Sequence, residues 1–193
     1  MTITSDTTLT EDHYGSIEIA ADDITLDCAG YSVIGPSPDP WPVDGVLVDH
    51  HSGVTIANCV ASGFVNGFKL QGVTDSALIG NTATANEGNG FYAADGSADN
   101  VFRGNSGNLV GHGFAFEFGS NRNRLDDSIA SGNAGNGVFV FRSRGNALKG
   151  NVAHGNAAFG FASTRSHGNR FIGNVARYPA KAERGAPRAR GYR

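Results

Sequence analysis

Short segments of the chain alternate apolar and polar residues, and each of these segments begins directly after a glycine. Residues 67–71 read Gly-Phe-Lys-Leu-Gln, and residues 113–117 read Gly-Phe-Ala-Phe-Glu. A period of two is typical of a short β-strand with one buried face. No segment with a helical period competes with it, so the pattern predicts an all-β protein.

The glycines that open these segments recur at a nearly constant interval of 22 to 24 residues. A second apolar position follows each of them after 11 or 12 residues. A period of this length, with several short strands in each unit, predicts one coil of a parallel β-helix. The sequence therefore predicts an all-β, single-stranded parallel β-helix (solenoid) of about seven coils with a repeat of roughly 23 residues.

Equivalent residues of successive coils stack in such a fold, so the apolar positions are expected to form two interior columns. The first column follows the glycines and contains Val46, Phe68, Phe91, Phe114, Val138 and Phe161. The second contains Ile56, Leu78, Phe102, Leu125, Leu148 and Phe171. All 17 asparagines lie between residues 58 and 174. We expect them at the bends, in the left-handed conformation, with each amide bonded to the equivalent amide one coil away.

The repeat divides the chain into three segments. Residues 1–14 are expected to form an N-terminal edge segment, residues 15–176 the β-helix domain, and residues 177–193 a flexible basic tail. A proline-rich loop at residues 36–42 is inserted into the helix and holds the only tryptophan. The first coil needs a cover for its exposed edge, which either the N-terminal residues or another molecule must supply.

The charge distribution, the cysteines and the N-terminal residues limit which binding partners and which cellular location are expected. Residues 1–68 contain ten acidic side chains and no Lys or Arg, whereas the remainder contains fifteen bases and eight acids. Opposite charges attract, so this pattern allows weak self-association through the coil ends, but a monomer is expected because the tail and the charged N-terminus can shield the end coils. Nucleic acid is not an expected partner. No apolar run is long enough to span a membrane. The N-terminus lacks the features of a signal peptide, which predicts a cytoplasmic location unless the chain was trimmed. Cys28 and Cys59 are expected to be buried thiols.

Three turns, at residues 100–105, 146–151 and 169–174, share the form Asn-x-apolar-x-Gly-Asn, and residues 23–35 and 54–59 are two further characteristic segments. These segments resemble the right-handed parallel β-helix proteins with pectin-lyase-like folds, including the NosD-like repeat group. The resemblance covers about residues 15–176 and implies that the predicted β-helix is right-handed. The family includes polysaccharide lyases, hydrolases, epimerases, phage tailspikes and proteins without known chemistry, so the resemblance implies the architecture more strongly than the function.

In relatives of this fold, the outer face of the strands that follow the glycines usually carries the substrate cleft. The candidate catalytic residues on this face are Asp49, His50, Lys69, Tyr92, Asp95 and Glu117. The candidate substrate-binding residues are Trp41, Gln71, Phe139, Phe141 and Arg142. A lyase acting on a uronate needs a base at C5 and a positive charge to neutralise the carboxylate, roles that His50, Lys69 and Tyr92 can fill.

Hydrolysis needs a pair of carboxyl groups instead, and Asp95 and Glu117 come from adjacent coils, roughly 5 to 7 Å apart by the strand spacings. An epimerase needs acid-base groups on both faces of the sugar, which the sequence leaves open. We therefore expect binding or processing of a polysaccharide or related sugar chain on this face, lyase-like or epimerase-like if catalytic. The alternative is a non-catalytic scaffold or assembly module. No metal site and no cofactor are expected, with a surface Ca²⁺ left open.

Overall fold

The computed structural model describes residues 1–35 and 43–177, which form three parallel β-sheets of eight strands each. Sheet 1 contains β1 (Thr2–Ile3), β4 (Ile17–Ile19), β7 (Val46–Asp49), β10 (Phe68–Gln71), β13 (Asn89–Ala94), β16 (His112–Glu117), β19 (Val138–Phe141) and β22 (Phe161–Thr164). Sheet 2 contains β2 (Thr7–Thr8), β5 (Thr25–Asp27), β8 (Thr55–Ala57), β11 (Ala77–Ile79), β14 (Val101–Arg103), β17 (Arg124–Asp126), β20 (Ala147–Lys149) and β23 (Arg170–Ile172). Sheet 3 contains β3 (His13–Tyr14), β6 (Ser32–Ile34), β9 (Val60–Ser62), β12 (Thr82–Thr84), β15 (Ser106–Asn108), β18 (Ile129–Ser131), β21 (Val152–His154) and β24 (Val175–Arg177).

Each coil consists of one strand from each sheet, and every strand pairs in parallel with its equivalent in the next coil. The predicted parallel β-helix is thus confirmed, and its seven coils are those from β4 to β24. The N-terminal segment adds one more coil, because β1, β2 and β3 pair with β4, β5 and β6. Residues 1–14 therefore cover the edge that the sequence left exposed.

Both predicted interior columns are present. In the first, Phe68, Phe91 and Phe114 stack face to face, with ring centroids 4.8 and 4.7 Å apart and planes within 6° and 8° of parallel. In the second, the strand registers place Leu78 between Ile56 and Phe102. The columns fill the space between the three sheets, and burial declines only at the last coil, where Phe171 is 38% exposed.

The recurring glycines are required by the close approach of sheet 1 to sheet 3. A Cβ on Gly113 would lie 2.7 Å from the Cβ of Ala130 in β18 and 2.7 Å from the carbonyl oxygen of Gly137. Neither atom can retreat, since one belongs to the core and the other to the backbone of the neighbouring coil. The glycine period therefore records where the two sheets meet.

The asparagine ladders are also present, and they bond to the backbone as well as to each other. The Asn123 side chain donates to the carbonyl oxygen of Ser97 (2.9 Å), and its Oδ1 accepts bonds from the backbone N–H and the side-chain amide of Asn100 (both 3.0 Å). Such bonds satisfy buried groups that water cannot reach.

The expectation that the ladder asparagines adopt the left-handed conformation is wrong. Among the described asparagines only Asn58 has a positive φ, of 54°. The residue before the ladder position takes that conformation, as Gly104 (φ 63°) does before Asn105 and Arg122 (φ 57°) before Asn123. Because the preceding residue makes the bend, the asparagine side chain can point into the interior. Asn105 and Asn123 are both buried there.

The prediction of free thiols is wrong as well. Cys28 and Cys59 are buried, but they are joined by a disulfide across adjacent coils, with Cα atoms 4.8 Å apart. Their separation of 31 residues exceeds the repeat because the 36–42 insertion lies between them, so the period did not reveal that they stack. Disulfides persist in oxidising compartments, which counts against the expected cytoplasmic location. Within the described residues, no helix is long and apolar enough to cross a membrane.

Candidate functional site

The outer face of sheet 1 carries the candidate residues, because alternate side chains of its strands point away from the core. The strand registers confirm two outward columns. The first column runs Leu47, Lys69, Tyr92, Ala115, Phe139 and Ala162. In the second, Asp49, Gln71 and Ala94 are in register, as are Glu117, Phe141 and Thr164. Gln71 is partly exposed between Asp49 and Ala94.

Tyr92 lies at the centre of a group of polar side chains that we call the Tyr92 cluster: Asp44, Lys69, Tyr92 and Glu117. Burial raises the pKa of the Tyr92 phenol to about 12, and the nearby carboxylates of Glu117, Asp95 and Asp44 add to the rise. Burial also raises the pKa of Glu117. The phenol is therefore held in its neutral form, and the carboxyl group is a weaker acid than an exposed glutamate.

Lys69 supplies the positive charge of the cluster. Its Nζ lies 3.1 Å from Oδ2 of Asp44, and both side chains are mostly buried. Asp44 also accepts a hydrogen bond of 2.7 Å from the side-chain amide of Asn66. The sequence analysis missed Asp44, although it stands directly before Gly45, at the position that Asn66 occupies before Gly67.

Two alanines lie on the outer face beside the cluster. Ala94 and Ala115 belong to the outward columns, yet they are only 2% and 1% exposed. Ala115 lies between Tyr92 and Phe139 in the first column. A small side chain therefore separates the two aromatic side chains of this column.

Asp49 and His50 form a separate pair at the corner after β7. Nδ1 of His50 lies 2.6 Å from Oδ1 of Asp49. The ring lies over Gly72 of the next coil, where a Cβ would come within 2.8 Å of it. These candidates therefore do not form one bonded group: Asp49 pairs with His50, and Lys69 pairs with Asp44.

Asp95 occupies the corner position equivalent to that of His50, two coils further along, and both have a positive φ. It comes directly after Ala94, while Glu117 lies on the following strand of sheet 1. The hydrolytic pair that the sequence suggested is therefore on adjacent coils, with one carboxyl group at the corner and the other on the strand.

An aromatic strip, defined by Phe118, Phe139 and Phe141, continues the outer face beyond Ala115. The rings of Phe139 and Phe141 are 6.0 Å apart and within 12° of parallel, and Phe118 packs edge-on against Phe141 at 5.7 Å. The guanidinium of Arg142 lies 5.1 Å from the centroid of Phe141. This strip joins the candidates Phe139, Phe141 and Arg142 into one surface.

His112 and Phe118 are neighbours of the site that the sequence analysis did not select. The ring of His112 lies 5.1 Å from that of Phe139, and burial lowers the pKa of His112. Trp41 lies outside the described residues. Within residues 1–35 and 43–177, no three His, Cys, Asp or Glu side chains are grouped so that they could hold a metal ion.

Comparison with known proteins identifies the class of fold. Residues 40–180 match the family described as right handed beta helix region, and the chain belongs to this family. The predicted handedness is thereby confirmed. No curated protein matches the chain.

Solved structures with the same fold include two mannuronan C-5 epimerase A-modules from Azotobacter vinelandii, AlgE4 and AlgE6. Both are 18% identical to this chain, with TM-scores of 0.63 and 0.62 over 90% and 89% of it. The chain spans little more than half of these modules, 57% and 55% of their lengths. An alginate lyase from Paenibacillus sp. is 13% identical, with a TM-score of 0.51 over 92% of this chain and 90% of the lyase. Similarity at this level of identity establishes the fold alone.

Proposed function

We propose that the outer face of sheet 1 binds a uronate-containing polysaccharide and that the Tyr92 cluster transfers protons at a bound uronate. The observation that carries this proposal is the half-buried Tyr92 phenol, with the Lys69–Asp44 ion pair on one side and Glu117 on the other. The names of the similar epimerases and lyase refer to mannuronan and alginate, which are polyuronates. This supports the substrate class.

The residues of the cluster divide the work of elimination or epimerisation. Removing the proton from C5 of a uronate places negative charge on the adjacent carboxylate, which the Lys69 ammonium can stabilise. Asp44 positions that ammonium through their contact of 3.1 Å. Glu117 is the base in this scheme, because its raised pKa brings it closer to the working pH of a general base.

Tyr92 is the proton donor, since a phenol with a pKa of about 12 remains protonated at neutral pH. In elimination, C5 loses its proton to Glu117, the bond from C4 to the glycosidic oxygen breaks, and the departing oxygen takes the Tyr92 proton. In epimerisation, Tyr92 returns a proton to the opposite face of C5 and the chain stays intact. The two outcomes differ only in where the Tyr92 proton goes.

The test incubates the protein with polymannuronate, polygalacturonate and a neutral polysaccharide. Elimination is read from the ultraviolet absorbance of the unsaturated product, and epimerisation from solvent deuterium incorporated at C5. Tyr92→Phe and Glu117→Gln should each lower turnover by about 100-fold or more. Glu18→Gln is the matched control, because Glu18 pairs with Leu47 in the same outward column, away from the cluster.

Other results would replace the proposal. Binding of polyuronates without turnover would reject proton transfer and leave a binding protein. New reducing ends without unsaturation would favour hydrolysis by Asp95 and Glu117. If no polysaccharide binds, the chain is better described as a non-catalytic scaffold or assembly module.

We further propose that the protein works outside the cytoplasm, because the Cys28–Cys59 disulfide is typical of oxidising compartments. Alkylation of the natively isolated protein should label neither cysteine until a reductant is added. Labelling of both cysteines without reductant would show that they are free thiols and would favour the cytoplasmic location predicted from the sequence.

A further inference from the structure

A cavity of about 230 Å³ opens at the corner between sheet 1 and sheet 2 in the last two coils. We call it the arginine pocket, and its lining residues are Arg142, Ser143, Arg144, Arg165 and His167. Arg142 follows β19 and Arg165 follows β22, so they occupy equivalent corner positions one coil apart. Arg144 and His167 are likewise paired across the two coils by a parallel β-bridge.

The three arginines of the pocket have no carboxylate partner among residues 1–35 and 43–177. In the part of the chain that the structure describes, acidic side chains form ion pairs with Lys69, Arg122 and Arg124, but none does so with an arginine of the pocket. Coils are stacked roughly 4.8 Å apart, and like charges on directly neighbouring strands destabilise a sheet. An anion bound in the pocket would remove this repulsion.

The repeat does not require arginine at this corner. The residues at the equivalent position in the earlier coils are His50, Gly72, Asp95 and Phe118. Only the last two of these six coils place a cation there, and they place it in succession. The arginines therefore mark one end of the face.

The pocket is continuous with the proposed substrate face. Arg142 lies against Phe141, which stacks with Phe139, and Ala115 lies between Phe139 and Tyr92 in the first outward column. From the strand of Tyr92 to the strand before Arg142 there are two coil steps, or roughly 10 Å along the axis. A polymer bound at the Tyr92 cluster can thus extend over the aromatic strip to the pocket.

We infer that the arginine pocket binds the carboxylate of a second uronate residue in the same polymer, an inference that rests on the proposed function. A guanidinium presents two parallel N–H groups that match the two oxygens of a carboxylate. The aromatic strip packs against the apolar face of the intervening sugar. The pocket selects for acidic polymers and fixes where the chain lies relative to Tyr92.

The test measures oligouronate binding by calorimetry for the wild type and for the double variant Arg142→Gln/Arg165→Gln. Removing two charge-assisted contacts should weaken the affinity for long oligouronates by about tenfold or more. Oligouronates too short to span the roughly 10 Å between the Tyr92 cluster and the pocket cannot use both sites at once, so their affinity should fall less. The double variant Arg142→Lys/Arg165→Lys keeps the charge but loses the planar fork, and should fall between the two.

The matched control is Arg103→Gln/Lys149→Gln, which removes two exposed positive charges from the outer face of sheet 2. It should bind like the wild type to within about twofold, because it lies on another face. Equal melting temperatures of all variants would show that each one folds.

The outcomes separate the two proposals. If the wild type binds long oligouronates and Arg142→Gln/Arg165→Gln binds them equally well, the pocket inference is wrong and the proposed function stands. If the wild type binds no polyuronate, the proposed function and the inference resting on it both fail. Binding of a sulfated polysaccharide in preference to polyuronates, lost in the arginine variant, would overturn the carboxylate assignment.

Discussion

Replacing Phe91 by alanine tests the stacked core directly. Phe91 is 1% exposed and lies between the rings of Phe68 and Phe114, in face-to-face contact with both. Truncation of a buried phenylalanine typically costs about 3–5 kcal/mol, and the cost depends on how far the surroundings can collapse into the cavity. Collapse is restricted here, because the hydrogen bonds of three sheets fix the spacing of the coils.

We therefore expect Phe91→Ala to lose about 4.5 kcal/mol of unfolding free energy, in the upper half of that range. The substitution removes two stacked aromatic contacts in addition to the hydrophobic free energy of burying the ring, which also favours the higher value. The measurement is urea unfolding followed by far-ultraviolet circular dichroism, with the midpoint and the slope both fitted.

Phe159→Ala is the matched control, since this phenylalanine is 46% exposed and its hydrogen bonds, to Asn136 and from Gly137, are made by its backbone. It should cost less than about 1 kcal/mol. Equal midpoints for Phe91→Ala and Phe159→Ala would refute the argument that the aromatic column carries the stability of the coils.

Four further predictions concern the ladders, the disulfide, the phenol and the coil ends. Asn123→Ala leaves the buried carbonyl of Ser97 and the N–H of Asn100 without their partner and should cost about 2–4 kcal/mol in urea unfolding, whereas Asn121→Ala, whose bond to Arg144 is exposed, should cost under about 1 kcal/mol. Reduction of the Cys28–Cys59 disulfide should cost about 3.5 kcal/mol, because it releases a loop of 31 residues, and a Cys28→Ser/Cys59→Ser variant should be insensitive to reductant. Tyr92 should ionise near pH 12 in the spectrum of the wild type minus that of Tyr92→Phe. The folded protein holds this proton more tightly than an ordinary tyrosine with a pKa of 10.0. The stability that this group supplies is therefore complete below pH 10 and is lost as the pH rises to about 12. A titration midpoint near pH 10 would contradict the burial of the phenol. Any self-association through the oppositely charged halves should weaken as salt rises, and association that is unchanged by salt in light scattering would exclude that mechanism.

The candidate site was only partly visible in the sequence. Lys69, Tyr92 and Glu117 could be assigned to the outer face because alternation and period fix their columns. Asp44 was missed since its role depends on the reach of the Lys69 side chain, which no period encodes. Arg165 and His167 follow Arg142 and Arg144 by 23 residues each, so the repeat did contain a signal for the arginine pocket.

The sequence by itself determined the architecture and the two interior columns. It could do so because a solenoid repeats one local unit, and each coil contacts only its neighbours, so that local pattern and tertiary contact coincide. The period was enough to predict that Phe68, Phe91 and Phe114 stack.

Only the tertiary structure decided the features that break the repeat. The 36–42 insertion hid the pairing of Cys28 with Cys59, and the N-terminal coil carries too few residues to show a period. The raised pKa of Tyr92 comes from burial by neighbours on other coils, and the open cavity between Arg142 and Arg165 comes from side-chain directions at a corner. These properties depend on distances between side chains of different coils, which alternation and spacing along the chain do not specify.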